Sequence, residues 1–112
     1  MVSPKAEVLD DAVVVPGAYV EAGARIGAGT RLSAGGWVDE QAQLGRDVLV
    51  AENVHIGPAA RIGDLVRLGR GAKIGAGAIV GAGVRVEEDA HVAAGVTIQP
   101  GALVKSSVVK AA

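Results

Sequence analysis

Every sixth residue of this chain, from Val2 to Val104, is Val, Ile or Leu. The series runs Val2, Val8, Val14, Val20, Ile26, Leu32, Val38, Leu44, Val50, Ile56, Ile62, Leu68, Ile74, Val80, Val86, Val92, Ile98 and Val104, with no slip and no insertion. Two residues before each member from Val8 onward stands Ala, Val, Gly or Thr. A six-residue period does not match the 3.6-residue helical turn. It is a multiple of the two-residue period of a strand, so the aliphatic residue and the small residue before it can both point inward.

Gly and Pro hold the same phase. Nine Gly, among them Gly17, Gly29, Gly35 and Gly77, lie three residues after an aliphatic position. Asp11, Asp47, Asn53 and Asp89 take that slot elsewhere, and Asn and Asp also tolerate positive φ. Seven more Gly follow an aliphatic position directly, and Gly36 takes a small inward slot. Pro4, Pro16, Pro58 and Pro100 all fall two residues after one, where a bend need not donate to a ladder. Each hexad therefore reads as a short strand followed by a tight corner. The 17 Gly argue against long helices, where each costs about 1 kcal/mol relative to Ala. With no Phe, one Trp and one Tyr, the interior must be filled by aliphatic and small side chains.

The runs "ARIGAGTRL", "VHIGPAARIG" and "AKIGAGAIVGAGVRV" resemble the hexapeptide repeats of the left-handed parallel β-helix superfamily, the acyltransferase type. The resemblance covers essentially all 112 residues and implies a single all-β domain over 1–112. It implies a left-handed single-stranded parallel β-helix of about six triangular coils, eighteen residues each, with no loop insertion. The repeat covers 2–108, and a short C-terminal tail over 105–112 overlaps its end. It further implies a homotrimer packed through prism faces.

Sorting the residue before each aliphatic position by eighteen gives three outward columns. The first holds Met1, Tyr19, Trp37, His55, Lys73 and His91. The second holds Glu7, Arg25, Gln43, Arg61, Ile79 and Thr97, and the third Val13, Arg31, Leu49, Arg67, Arg85 and Leu103. The only Tyr, the only Trp and both His thus share one face. Tyr and Trp are enriched at interface centres, so Tyr19, Trp37 and Lys73 mark a binding or interface column. A neutral imidazole can take a proton from an attacking hydroxyl or amine, which makes His55 and His91 the candidate catalytic residues. In acyltransferases of the family that this chain resembles, a catalytic His lies in the groove between two subunits.

Arg61, Arg67 and Arg85 are candidates for gripping phosphates of coenzyme A or an acyl carrier protein. The competing reading is that alternating Arg with Glu21, Asp64, Glu87, Glu88 and Asp89 makes a solvated surface. Asp39 and Glu40, adjacent at a corner, are read the same way. The GxG patterns recur at the hexad period and are corner chemistry, because no helix follows to form a phosphate loop.

Three functions are compatible with these residues. The first is acyl transfer from an acyl thioester, with acyl-CoA or an acyl carrier as donor. The second is a non-catalytic structural or scaffold trimer, engineered or filament-forming. The third is zinc-dependent chemistry resembling the gamma-class carbonic anhydrases. His55 and His91 stand two coils apart, about 9–10 Å, too far to share one ion within a chain. The family's third His position is Val96 here, so no metal site is assigned. The absence of Cys removes disulfides and thiolate sites. A net charge of −1 gives no reason to expect nucleic acid. No apolar run approaches a membrane span, and the opening "MVSPKAEVLDD" has no signal-peptide regions, so the expected location is cytoplasmic.

Overall fold

The structure, a computed structural model, describes residues 2–105. Met1 of the aromatic column and the tail from 106 lie outside the described residues. Two-residue strands follow one another at six-residue intervals, from β1 (Glu7–Val8) and β2 (Val13–Val14) to β17 (Leu103–Val104). They stack into three parallel sheets of six, six and five strands. The described residues therefore form a three-faced parallel β-solenoid of five complete coils and part of a sixth. No helix interrupts it.

The eighteen-residue phase holds at every step of the ladder. Glu7 pairs with Arg25, Val13 with Arg31, and Tyr19 with Trp37. Strand N–H groups donate to the next coil, as Glu7 N to Ala24 O at 2.9 Å. Corner N–H groups donate back to the previous coil, as Gly35 N to Gly17 O at 3.1 Å. Each coil is thus tied to both neighbours along its whole circumference.

From Val20 to Val104 every aliphatic member of the series is buried, none more than 8% exposed. Val2 and Val8 are 38% and 39% exposed. The sequence predicts uniform burial, and Val2 and Val8 of the first coil depart from it, whereas Val92, Ile98 and Val104 of the last described coil do not. Thr30 is the buried polar residue of the interior. Its hydroxyl donates to Gly45 O at 2.7 Å and accepts from Val48 N at 3.1 Å, so it bridges a corner of the next coil.

The expected left-handed corners are present at all nine Gly and at Asp11, Asp47, Asn53 and Asp89. Gln41, Ala59 and Leu65 also adopt positive φ, near 60°. These three follow from the repeat phase and not from residue preference. A packing rule links successive corners. The side-chain oxygen of Asp47 occupies the space that a Cβ on Gly29 would need, and Asn53 does the same to Gly35 and Asp89 to Gly71. Gly in one corner leaves room for Asp or Asn eighteen residues later.

Candidate functional site

One sheet carries the chemistry. It consists of β3 (Tyr19–Val20), β6 (Trp37–Val38), β9 (His55–Ile56), β12 (Lys73–Ile74) and β15 (His91–Val92). In each strand the second residue is buried and the first points to solvent. The outward order is therefore ring, ring, His, Lys, His, spaced about 4.8 Å per strand. The Tyr19 and Trp37 ring centroids are 5.3 Å apart at 35°, and Trp37 and His55 are 5.9 Å apart at 48°. These separations fall in the range of favourable tilted ring pairs. Lys73 lies in register with both His55 and His91.

Beside this column runs a second outward row, two residues further along each strand. It reads Glu21, Asp39, Gly57, Gly75 and Ala93. The change from carboxylates to Gly opens a groove of about 530 Å³ lined by His55, Lys73, His91, Gly57, Gly75 and Ala93, among others. That volume lies within the range of small-molecule sites. The groove floor cannot be refilled cheaply. A Cβ at Gly57 or Gly75 would press on the backbone of the next coil, at 2.8 Å from Ala76 N and 2.4 Å from Ala94 N.

Asp39 stands where that row changes. Its Oδ2 lies 3.5 Å from His55 Nε2, and its Oδ1 accepts the Glu40 N–H at 2.8 Å. The carboxylate side chain is 29% exposed and the imidazole 48%. The sequence reading of Asp39 as a solvated corner acid is corrected here: it is the diagonal cross-strand neighbour of His55 and is held by backbone on its other oxygen. The carboxylate therefore stands at ion-pair distance from one ring nitrogen of His55, while Nδ1 is the other nitrogen of the ring. His91 lines the same groove, but among the described residues no carboxylate contact orients it.

Solved structures similar to this arrangement of coils include acetyltransferases. The acetyltransferase domain of PglB from Neisseria gonorrhoeae, in complex with acetyl coenzyme A, is 30% identical with a TM-score of 0.82; the match covers 91% of this chain and 52% of that one. PerB from Caulobacter crescentus, in complex with CoA and GDP-perosamine, is 26% identical with a TM-score of 0.89, covering 95% and 51%. The chain resembles these hexapeptide-repeat acetyltransferases in its repeat and in its parallel β-solenoid fold. WeeI from Acinetobacter baumannii, at 17% identity and a TM-score of 0.90, shares the fold over 96% of this chain and 53% of its own. The chain spans about half the length of these matched structures. No family model matches it, and no curated protein matches it significantly.

The other candidate residues of this hexapeptide-repeat protein lie away from the His face. Arg67 and Arg85 pair in register on a second sheet and line, with Arg31, Leu49 and Leu103, a larger groove of about 810 Å³. Arg61 stands on the third sheet between Gln43 and Ile79. The three Arg therefore do not converge within one chain. The larger groove sets Glu87 and Glu88 beside its three Arg and has no imidazole, whereas both His line the smaller one. Surface charge is partly paired, as in Arg25–Glu7 at 3.2 Å. Among the described residues no three His, Cys, Asp or Glu side chains cluster as a metal site.

Proposed function

We propose that this protein transfers an acyl group from a thioester donor to an amine or hydroxyl acceptor in the His55 groove. The observation that carries the reading is the Asp39–His55 pair at the rim of a groove with a glycine floor. His55 Nδ1 takes the proton of the attacking N–H or O–H as the acceptor's nitrogen or oxygen bonds to the thioester carbonyl carbon. The C–S bond then breaks, and the proton passes from His55 to the departing thiolate. Asp39 accepts from Nε2–H throughout and stabilises the imidazolium while it exists. Lys73, one strand from His55, supplies positive charge for the developing oxyanion.

The donor we favour is acetyl-CoA or another acyl-CoA. Support comes from the complexes of PglB with acetyl coenzyme A and of PerB with CoA. The diphosphate end of such a donor needs cations that the His face does not offer beyond Lys73. Those cations stand on the Arg67–Arg85 face, and a second copy that brings that face to the His55–His91 end of the column, as in a homotrimer, would place both sets of groups along one groove and leave Tyr19 and Trp37 uncovered.

The test is thiol release from acetyl-CoA against a panel of amines, amino sugars and alcohols. Acetyl transfer that falls at least 100-fold in His55→Ala and at least 10-fold in Asp39→Asn is the expected result. Activity indifferent to His55 and lost in His91→Ala moves the base to the other end of the groove. No thioester turnover and no thioester binding leaves the scaffold reading in place. Light scattering checks the trimer, and a monodisperse monomer refutes it.

A further inference from the structure

We infer that Tyr19 and Trp37 form the acceptor platform of the site: a tilted ring pair that takes a ring with one apolar face and hydroxyl or amino donors on its edge. This rests on the acyl-transfer reading only for the word acceptor; the binding itself stands independently.

Four observations carry it. The two rings are 45% and 44% exposed, although nothing in the repeat requires a large apolar side chain at those positions. The other outward columns also expose apolar residues, Val13, Leu49, Ile79 and Leu103, but all of these are aliphatic; the only two aromatic rings of the chain stand side by side here. The rings already contact one another as tilted pairs, Tyr19 with Trp37 and Trp37 with His55, which lowers the ordering cost of taking a ligand. The platform is continuous with the proposed base: Trp37 pairs in register with His55 on the next strand, and their ring centroids are 5.9 Å apart.

The fourth observation is charge. Glu21 and Asp39 follow Tyr19 and Trp37 by two residues, and their backbone N–H groups donate to Val38 O and Ile56 O at 2.9 Å each, which fixes both on the outward row beside the rings. Glu40 is next to Asp39. The platform is thus aromatic below and carboxylate at one side, with its cation, Lys73, two strands away. Carboxylates accept from O–H and N–H and repel anions. Ring faces attract C–H surfaces and cations. Together they select a neutral or cationic ring bearing donors, and they disfavour a free phosphate or carboxylate at this end of the face.

Trp37 is the only Trp, so its emission reports on the platform alone. Glucosamine and methyl glucoside, as donor-bearing rings, are titrated into the whole protein, with ethanolamine as a donor lacking a ring. Saturable change of Trp37 emission with both rings and none with ethanolamine is expected. Tyr19→Ala should weaken that binding about tenfold, whereas Ile79→Ala, an equally exposed apolar residue on another face, should leave it unchanged. No emission change with either ring overturns the platform. So does a ligand-free emission that shifts to the blue as protein concentration rises, because the rings then pack against a second copy. Ring binding without any thioester turnover keeps the platform and counts against acyl transfer; turnover without any change at Trp37 does the reverse.

Discussion

The corner rule makes a prediction that separates backbone conformation from packing. Gly29 has φ of 74°, and a Cβ there would overlap Oδ1 of Asp47 in the next coil. Gly77 has φ of 67° and nothing within 4 Å of the same added atom. Gly77→Ala therefore measures the left-handed penalty alone. That penalty is about 1–2 kcal/mol per L-residue, reduced by the roughly 0.4–1 kcal/mol that Ala gains by restricting the unfolded chain. The expected net is about 1 kcal/mol. Gly29→Ala adds the cost of driving the Asp47 side chain off its rotamer, about 0.5–1.5 kcal/mol, for a total of about 2 kcal/mol. With a urea m-value of about 2 kcal/mol/M, the two variants lower the midpoint by about 0.5 M and 1 M. The decisive measurement is the double-mutant cycle of Gly29→Ala with Asp47→Gly. Removing the carboxylate should return Gly29→Ala to the cost of Gly77→Ala, a coupling of about 1 kcal/mol. A coupling below about 0.3 kcal/mol, the level of independent sites, would refute the rule that successive corners are packed against one another.

Three further outcomes follow from the same structure. Leu65 is 63% exposed with φ of 61°, so Leu65→Asn should stabilise by about 0.5–1 kcal/mol, read as a higher urea midpoint. Thr30→Val keeps the volume but strands the Val48 N–H and the Gly45 carbonyl, and should cost about 1–3 kcal/mol by thermal or urea unfolding, with Thr30→Ser costing less. Arg85 stands in register with Arg67, so Arg85→Glu should raise the melting temperature slightly at low salt, and the gain should vanish near 1 M NaCl.

The interior was readable from the sequence because it is written in a period of six: the aliphatic series, the small residues before it and the Gly and Pro of the corners all keep one phase. The outward columns were readable as well, since eighteen residues restore the same face, and the pairings of Trp37 with His55 and of Arg67 with Arg85 follow from that number alone. Asp39 was not. It lies at a corner like Asp10, Asp11, Glu87, Glu88 and Asp89, and residue type does not distinguish it from them. What sets it apart is the change of its row from carboxylate to Gly57, together with a diagonal contact sixteen residues away in sequence. The available signal was the empty side chain at Gly57, which leaves the carboxylate and the imidazole room to meet. The corners at Gln41, Ala59 and Leu65 were hidden for the opposite reason: the repeat imposes a conformation that those residues do not themselves prefer.

The core repeats every six residues, whereas the faces repeat only every eighteen. A deletion of one hexad between Ile56 and Lys73 would leave the aliphatic series unbroken and each interior layer filled. It would also turn everything downstream by one third of a revolution, carrying Lys73 and His91 off the face that holds His55. Losing a whole coil would shorten the groove but keep its sides aligned. Length variation in such a chain is therefore judged by two different clocks: folding tolerates any multiple of six, and only multiples of eighteen keep the chemistry assembled.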